Sequence, residues 1–162
     1  MASMHGKLSA ALAAVLILAG AGAAPALAMD SGTPAASAPS APKADDYSEG
    51  VKAAHSGNYA DAIGHLDKVV ASDPKNADAW NMIGYSERKL GKFPESLDAY
   101  EKALAIDPNH LGANEYLGEL YLQMGDMPKA EERLAKLDKL CGSDCVEYKT
   151  LKGLIDAKKK SS

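Results

Sequence analysis

From Gly50 onward the sequence repeats itself every 34 residues, and this period limits the fold more than any other feature. Gly50, Gly84 and Gly118 stand 34 apart, as do Gly57, Gly91 and Gly125. The same offset joins Ala62, Ser96 and Ala130, then Leu66, Tyr100 and Leu134, then Val69, Ala103 and Leu137. Asp73-Pro74 returns as Asp107-Pro108. A unit this short cannot bury its own apolar face, so the units must stack on one another.

Each unit reads as two helices. In the second, Trp80, Ile83, Glu87 and Leu90 form a stripe at spacings of three and four, and Gly91 ends the helix. Pro94 then suits a first-turn position, and Leu97, Tyr100 and Leu104 continue at helical spacing. In the third, Leu117, Leu120 and Met124 precede Gly125, and Pro128 opens a helix carrying Ala130, Leu134, Leu137 and Leu140. Gly50, Gly84 and Gly118 fall inside helices, where glycine costs about 1 kcal/mol relative to alanine. Placed opposite Ala62, Ser96 and Ala130, they let paired helices approach closely.

The second unit, WNMIGYSERKLGKFPESLDAYEKALAIDP, resembles the tetratricopeptide repeat, with Ile83 and Ser96 in its leucine and alanine positions. The first unit departs with Asp46 where Trp80 stands, the third with Asn114 there and Cys141-Gly142 in place of Asp-Pro. The resemblance implies an all-α, right-handed solenoid of three helical hairpins over 45–144, in units of about 43–76, 77–110 and 111–144. A capping helix at 145–158, with Tyr148, Leu151, Leu154 and Ile155 apolar, and a basic tail at 159–162 follow. It also implies that the first helices line a concave groove for a peptide, a helix or a partner domain. By repeat position the groove candidates are Tyr47, Val51 and His55, then Asn81, Tyr85, Arg88 and Lys89, then Glu115, Glu119 and Leu122. Such a mixed surface suits an extended backbone with a few packed side chains. Members of the family that grip acidic chaperone tails use basic residues and asparagines at positions held here by Tyr47, Val51, Tyr85, Glu115 and Glu119, so that specialisation is not expected.

Residues 1–28 carry Lys7, an apolar run from Leu8 to about Ala21, and the small-x-small site Ala26-Leu27-Ala28. They read as a secretory signal peptide cleaved near Ala28, the alternative being an uncleaved anchor. Residues 29–44, rich in Ala, Ser and Pro, read as a flexible linker. Loss of Lys7 leaves 17 basic against 22 acidic residues, which argues against a nucleic-acid partner. His55, His65 and His110 have no nucleophile or carboxylate at a diagnostic spacing, and no phosphate loop, HExxH or CxxCH occurs. The expectation is a non-enzymatic adaptor without cofactor or metal, periplasmic or secreted. Its partner would be a segment of another envelope protein, and no stable membrane insertion would follow cleavage.

The two cysteines, Cys141 and Cys145, stand alone in KLCGSDCVEYK. In an oxidising compartment they are expected to pair. A continuous helix would hold them too far apart, so Gly142 must end one helix, with Ser143 or Asp144 capping the next. The alternative is a thiol-redox or metal-handling protein that works through these cysteines, although two thiolates are half a zinc site.

Overall fold

The computed structural model describes residues 44–161, so the leader and nearly all of the linker lie outside the described residues. Seven helices follow one another: α1 (Ala44–His55), α2 (Tyr59–Ser72), α3 (Ala77–Lys89), α4 (Phe93–Ile106), α5 (Leu111–Met124), α6 (Met127–Cys141) and α7 (Val146–Lys160). They pair as hairpins α1/α2, α3/α4 and α5/α6, with α7 against both α5 and α6. The basic run Lys158–Lys160 belongs to the last turn of α7 and is not a tail; Lys159 reaches Glu131 at 2.6 Å. No helix among the described residues is long and apolar enough to cross a membrane.

The hairpin turns are built alike. Gly57, Gly91 and Gly125 take φ of 82°, 79° and 82°, which only glycine adopts cheaply. The next N–H groups then bond back five residues, Asn58 to Ala53, Lys92 to Glu87 and Asp126 to Tyr121, closing the helix ends. Between hairpins, the Asp73 and Asp107 carboxylates accept the backbone N–H groups of Lys75 and Asn109 at 3.1 and 2.9 Å. Asn76 and His110 then cap α3 and α5.

The interior glycines do admit close packing, against different neighbours from those expected. A Cβ at Gly50 would lie 2.7 Å from Leu66, and one at Gly84 would lie 2.7 Å from the Tyr100 ring. Ala62 acts instead through its carbonyl and Ser96 through its hydroxyl. The Ala62 carbonyl would stand 3.3 Å from that first Cβ, and the Ser96 hydroxyl donates to the Gly84 carbonyl at 2.7 Å. At Gly118 the intruder is Leu151 of α7, since α6 turns its Arg133 stem to this spot.

Asp46 and Asn114, the two departures from the tryptophan column, are polar substitutes with partners. Trp80 Nε1 donates to the Pro74 carbonyl at 3.0 Å, and Asn114 Nδ2 makes the equivalent bond to Pro108 at 3.4 Å. Arg133 donates to the Asn114 oxygen at 3.3 Å. Asp46 sits between His65 and Lys68 of α2 at 3.1 and 3.5 Å, and the hydrogen bond with His65 holds its carboxyl below the usual range.

The third junction differs from the first two. Helix α5 begins 34 residues after α3, but α7 begins 35 after α5, because α6 has 15 residues where α2 and α4 have 14. Gly142, at φ 76°, ends α6, and Cys145 opens α7 without a side-chain cap. Neither Ser143 nor Asp144 caps; Asp144 pairs with Lys149 at 3.3 Å, because the cap position has moved one residue on. Leu151 and Ile155 are fully covered against the last repeat, Tyr148 is half-covered, and Leu154 stays 42% exposed.

Candidate concave binding groove

Helices α1, α3 and α5 present the ten candidate residues, and α7 extends the same row. Tyr47 and Val51 lean into the core that the first two hairpins share, while His55 stands exposed at the end of α1. Asn81, Glu115 and Leu122 are buried, Tyr85 and Glu119 are half-buried, and Lys89 is exposed.

At the centre is a stack of rings and cations. Tyr85 and Tyr116 lie 5.2 Å apart, Tyr59 meets Tyr85 edge-on at 6.1 Å, and Tyr116 meets Tyr100 at 6.4 Å. The Arg88 guanidinium sits 5.6 and 5.7 Å from the Tyr85 and Tyr116 rings, and the Lys89 ammonium lies 5.3 Å from the Tyr85 ring. Arg88 donates to Glu119 at 2.8 Å and to the Tyr100 hydroxyl at 3.4 Å. Burial raises the Tyr100 phenol well above its ordinary pKa, with Arg88 pulling the other way.

Arg88, a groove candidate by repeat position, does not offer its side chain to a ligand in the groove. Its side chain is 2% exposed, because Glu119 of the next repeat draws it in beneath the rings. Tyr59, Tyr100 and Tyr116 complete the stack and are missing from the sequence-derived set. The residue 34 before Tyr116 is Met82, so periodicity offered no hint of it.

On α5, Glu115 is buried, at 8% exposure. Burial first, then the Glu119 and Glu147 carboxylates, push its carboxyl up to about 7, against smaller opposing pulls from Arg88 and Thr150. Because the folded state holds this proton more tightly than the unfolded chain, stability present below about pH 4.5 is lost as pH rises through 7. Glu115→Gln is expected to stabilise the fold at pH 8 by on the order of 2 kcal/mol, and to leave it unchanged at pH 4. Urea titrations at the two pH values check this; equal shifts at both would contradict it.

Cys141 and Cys145 lie with their Cα atoms 5.8 Å apart and their sulfurs bonded. With Glu147 they bring three donor atoms within 4.8 Å of one another, but bonded sulfurs are not thiolate ligands and zinc takes four. A bridge closing so short a loop contributes about 2 kcal/mol in the chain-entropy estimate. The double substitution to serine is expected to increase amide exchange in α7 while leaving α1 to α4 protected, measured by hydrogen exchange. Uniform protection would deny the bridge a structural role.

Family models described as tetratricopeptide repeat match residues 47–110 and 87–155. A search of curated proteins finds no match. Among solved structures, the Yersinia enterocolitica type III secretion chaperone SycD, crystallised with a peptide of the translocator YopD, is 20% identical with a TM-score of 0.63, over 72% of this chain and 92% of that one. The TPR2B domain of yeast Sti1, in a complex with pHsp70, is 17% identical with a TM-score of 0.64, over 73% and 96%. The Arabidopsis OM64 TPR domain is 14% identical with a TM-score of 0.64, over 70% and 93%. At these identities the likeness is one of fold. With both models falling on the three hairpins and the cap, the chain belongs to the tetratricopeptide repeat family.

Proposed function

We propose that this protein is a non-enzymatic adaptor of the bacterial cell envelope, holding a peptide or helical segment of a partner protein in the groove of α1, α3, α5 and α7. The observation that carries the reading is the Tyr85–Tyr116–Arg88 stack: aromatic rings pinned by a buried cation form a rigid floor at mid-groove, where a segment crossing the repeats must pass. Pre-ordered aromatic surface binds at low entropic cost. The SycD and Sti1 structures, with their bound YopD peptide and pHsp70, support a peptide as ligand. The leader read from residues 1–28 supports the envelope setting, and a Cys141–Cys145 bridge fits such a compartment.

A photo-crosslinking residue at exposed Lys89 is expected to capture the partner in cells, whereas one at exposed Glu95 on α4 is not. Tyr85→Ala should weaken capture about tenfold, as truncation of a central aromatic does. The probe-bearing chain itself should carry an N-terminus at Met29 and fractionate with the periplasm. Capture from Glu95 alone would refute the groove reading, and a cytoplasmic, unprocessed chain would refute the setting.

A further inference from the structure

The groove between α3, α5 and α7 holds a buried acceptor, Asn81 Oδ1, that has no donor among the described residues. Helices α3 and α5 run past each other in matched steps: the Asn81 amide would meet a Cβ at Gly112 at 3.3 Å, and two turns on, Arg88 meets Glu119. Glu115 lies between these two contacts on the stripe formed by Gly112, Glu115 and Glu119. One end of the stripe is neutralised by Arg88. At the other, Asn81 is 6% exposed and its Oδ1 has no donor among the described residues.

Helix α7 adds to the imbalance. Its Glu147 acts on Glu115 from across the groove and is opposed in part by Thr150 of the same helix, whose hydroxyl also donates to the Val146 carbonyl at 2.9 Å. Two carboxylates, Glu119 and Glu147, thus act on a third, Glu115, while Arg88 is engaged by Glu119. Beyond Glu119 the surface turns apolar: Leu122 and Leu154 line a cleft of about 400 Å³ between α5 and α7, with Lys158 along its lining. Leu154 remains exposed there although Leu151 and Ile155 on the same helix are buried.

We propose that this part of the groove recognises a partner segment that places a lysine or arginine among Asn81, Glu115 and Glu147 and an apolar side chain between Leu122 and Leu154. The inference rests on the groove-binding reading and names the chemistry of its ligand. A cationic head supplies the donor that the Asn81 oxygen lacks and a counter-charge for Glu115 and Glu147, and a buried charge is tolerated where it is paired and hydrogen-bonded. An acidic segment would meet three carboxylates at the same place.

The test is selection of a phage-displayed library of random peptides on the immobilised full chain, followed by affinity measurement of the selected peptides. Lys or Arg beside an apolar residue should be enriched. The double variant Glu115→Gln with Glu147→Gln should bind those peptides at least about tenfold more weakly, as loss of an interfacial charge pair does. Glu95→Gln on α4 should bind them unchanged. Thermal melting confirms that the variants fold. Enrichment of peptides without basic residues, or equal binding by the double variant, overturns the proposal. If such peptides still lose affinity on Tyr85→Ala, the groove reading stands and only the cation subsite falls; if no groove substitution matters, or no peptide is enriched, both fall.

Discussion

Arg88→Ala is expected to destabilise the fold by about 3–5 kcal/mol, the usual cost of removing one partner of a buried ion pair. The guanidinium pairs with Glu119 at 2.8 Å, and it also anchors the Tyr100 hydroxyl and two tyrosine faces. Its loss leaves Glu119 beside Glu115 without its salt-bridge partner, so part of the cost should be recovered when Glu119→Gln is added. Denaturant titration of the single and double variants measures this coupling. A singly substituted protein that melts like the parent would mean that Arg88 is a surface residue.

Gly84→Leu should cost about 3 kcal/mol or more. A side chain at this point runs into the Tyr100 ring, which is fully buried and cannot swing aside, since Arg88 holds its hydroxyl and Tyr116 packs nearby. Overpacking of this kind forces strain into the backbone, and here it also threatens the bond from Ser96 to the Gly84 carbonyl. Lys102→Leu is the contrasting case. Lys102 pairs with Asp98 at 2.6 Å and covers the Trp80 ring at 4.5 Å, but on an exposed face, so its replacement should cost less than about 1 kcal/mol. Equal melting temperatures for the two variants would contradict the helix register.

The hairpins were legible because each glycine column has a single physical meaning. Gly57, Gly91 and Gly125 supply the positive φ of the turn, and Gly50 and Gly84 admit a bulky neighbour from the paired helix. The ten groove positions followed from register, but their exposure did not. Whether a residue such as Arg88 stands in solvent depends on a partner 31 positions away, Glu119, and no period encodes that pairing. The cap was legible as a helix, yet its part in the groove was hidden. One extra residue in α6 shifts α7 out of the 34-residue frame, so Glu147, Thr150 and Leu154 fall in no repeat column. Tyr116 escaped for the opposite reason, being a new aromatic in a column that holds Met82.

The most direct test of the account is amide chemical-shift mapping of the full chain titrated with a segment of its captured partner. The account predicts that the shifts concentrate on α1, α3, α5 and α7, with the largest around Tyr85, Lys89 and Glu115. Shifts confined to α2, α4 and α6, on the opposite side of the hairpins, would contradict it.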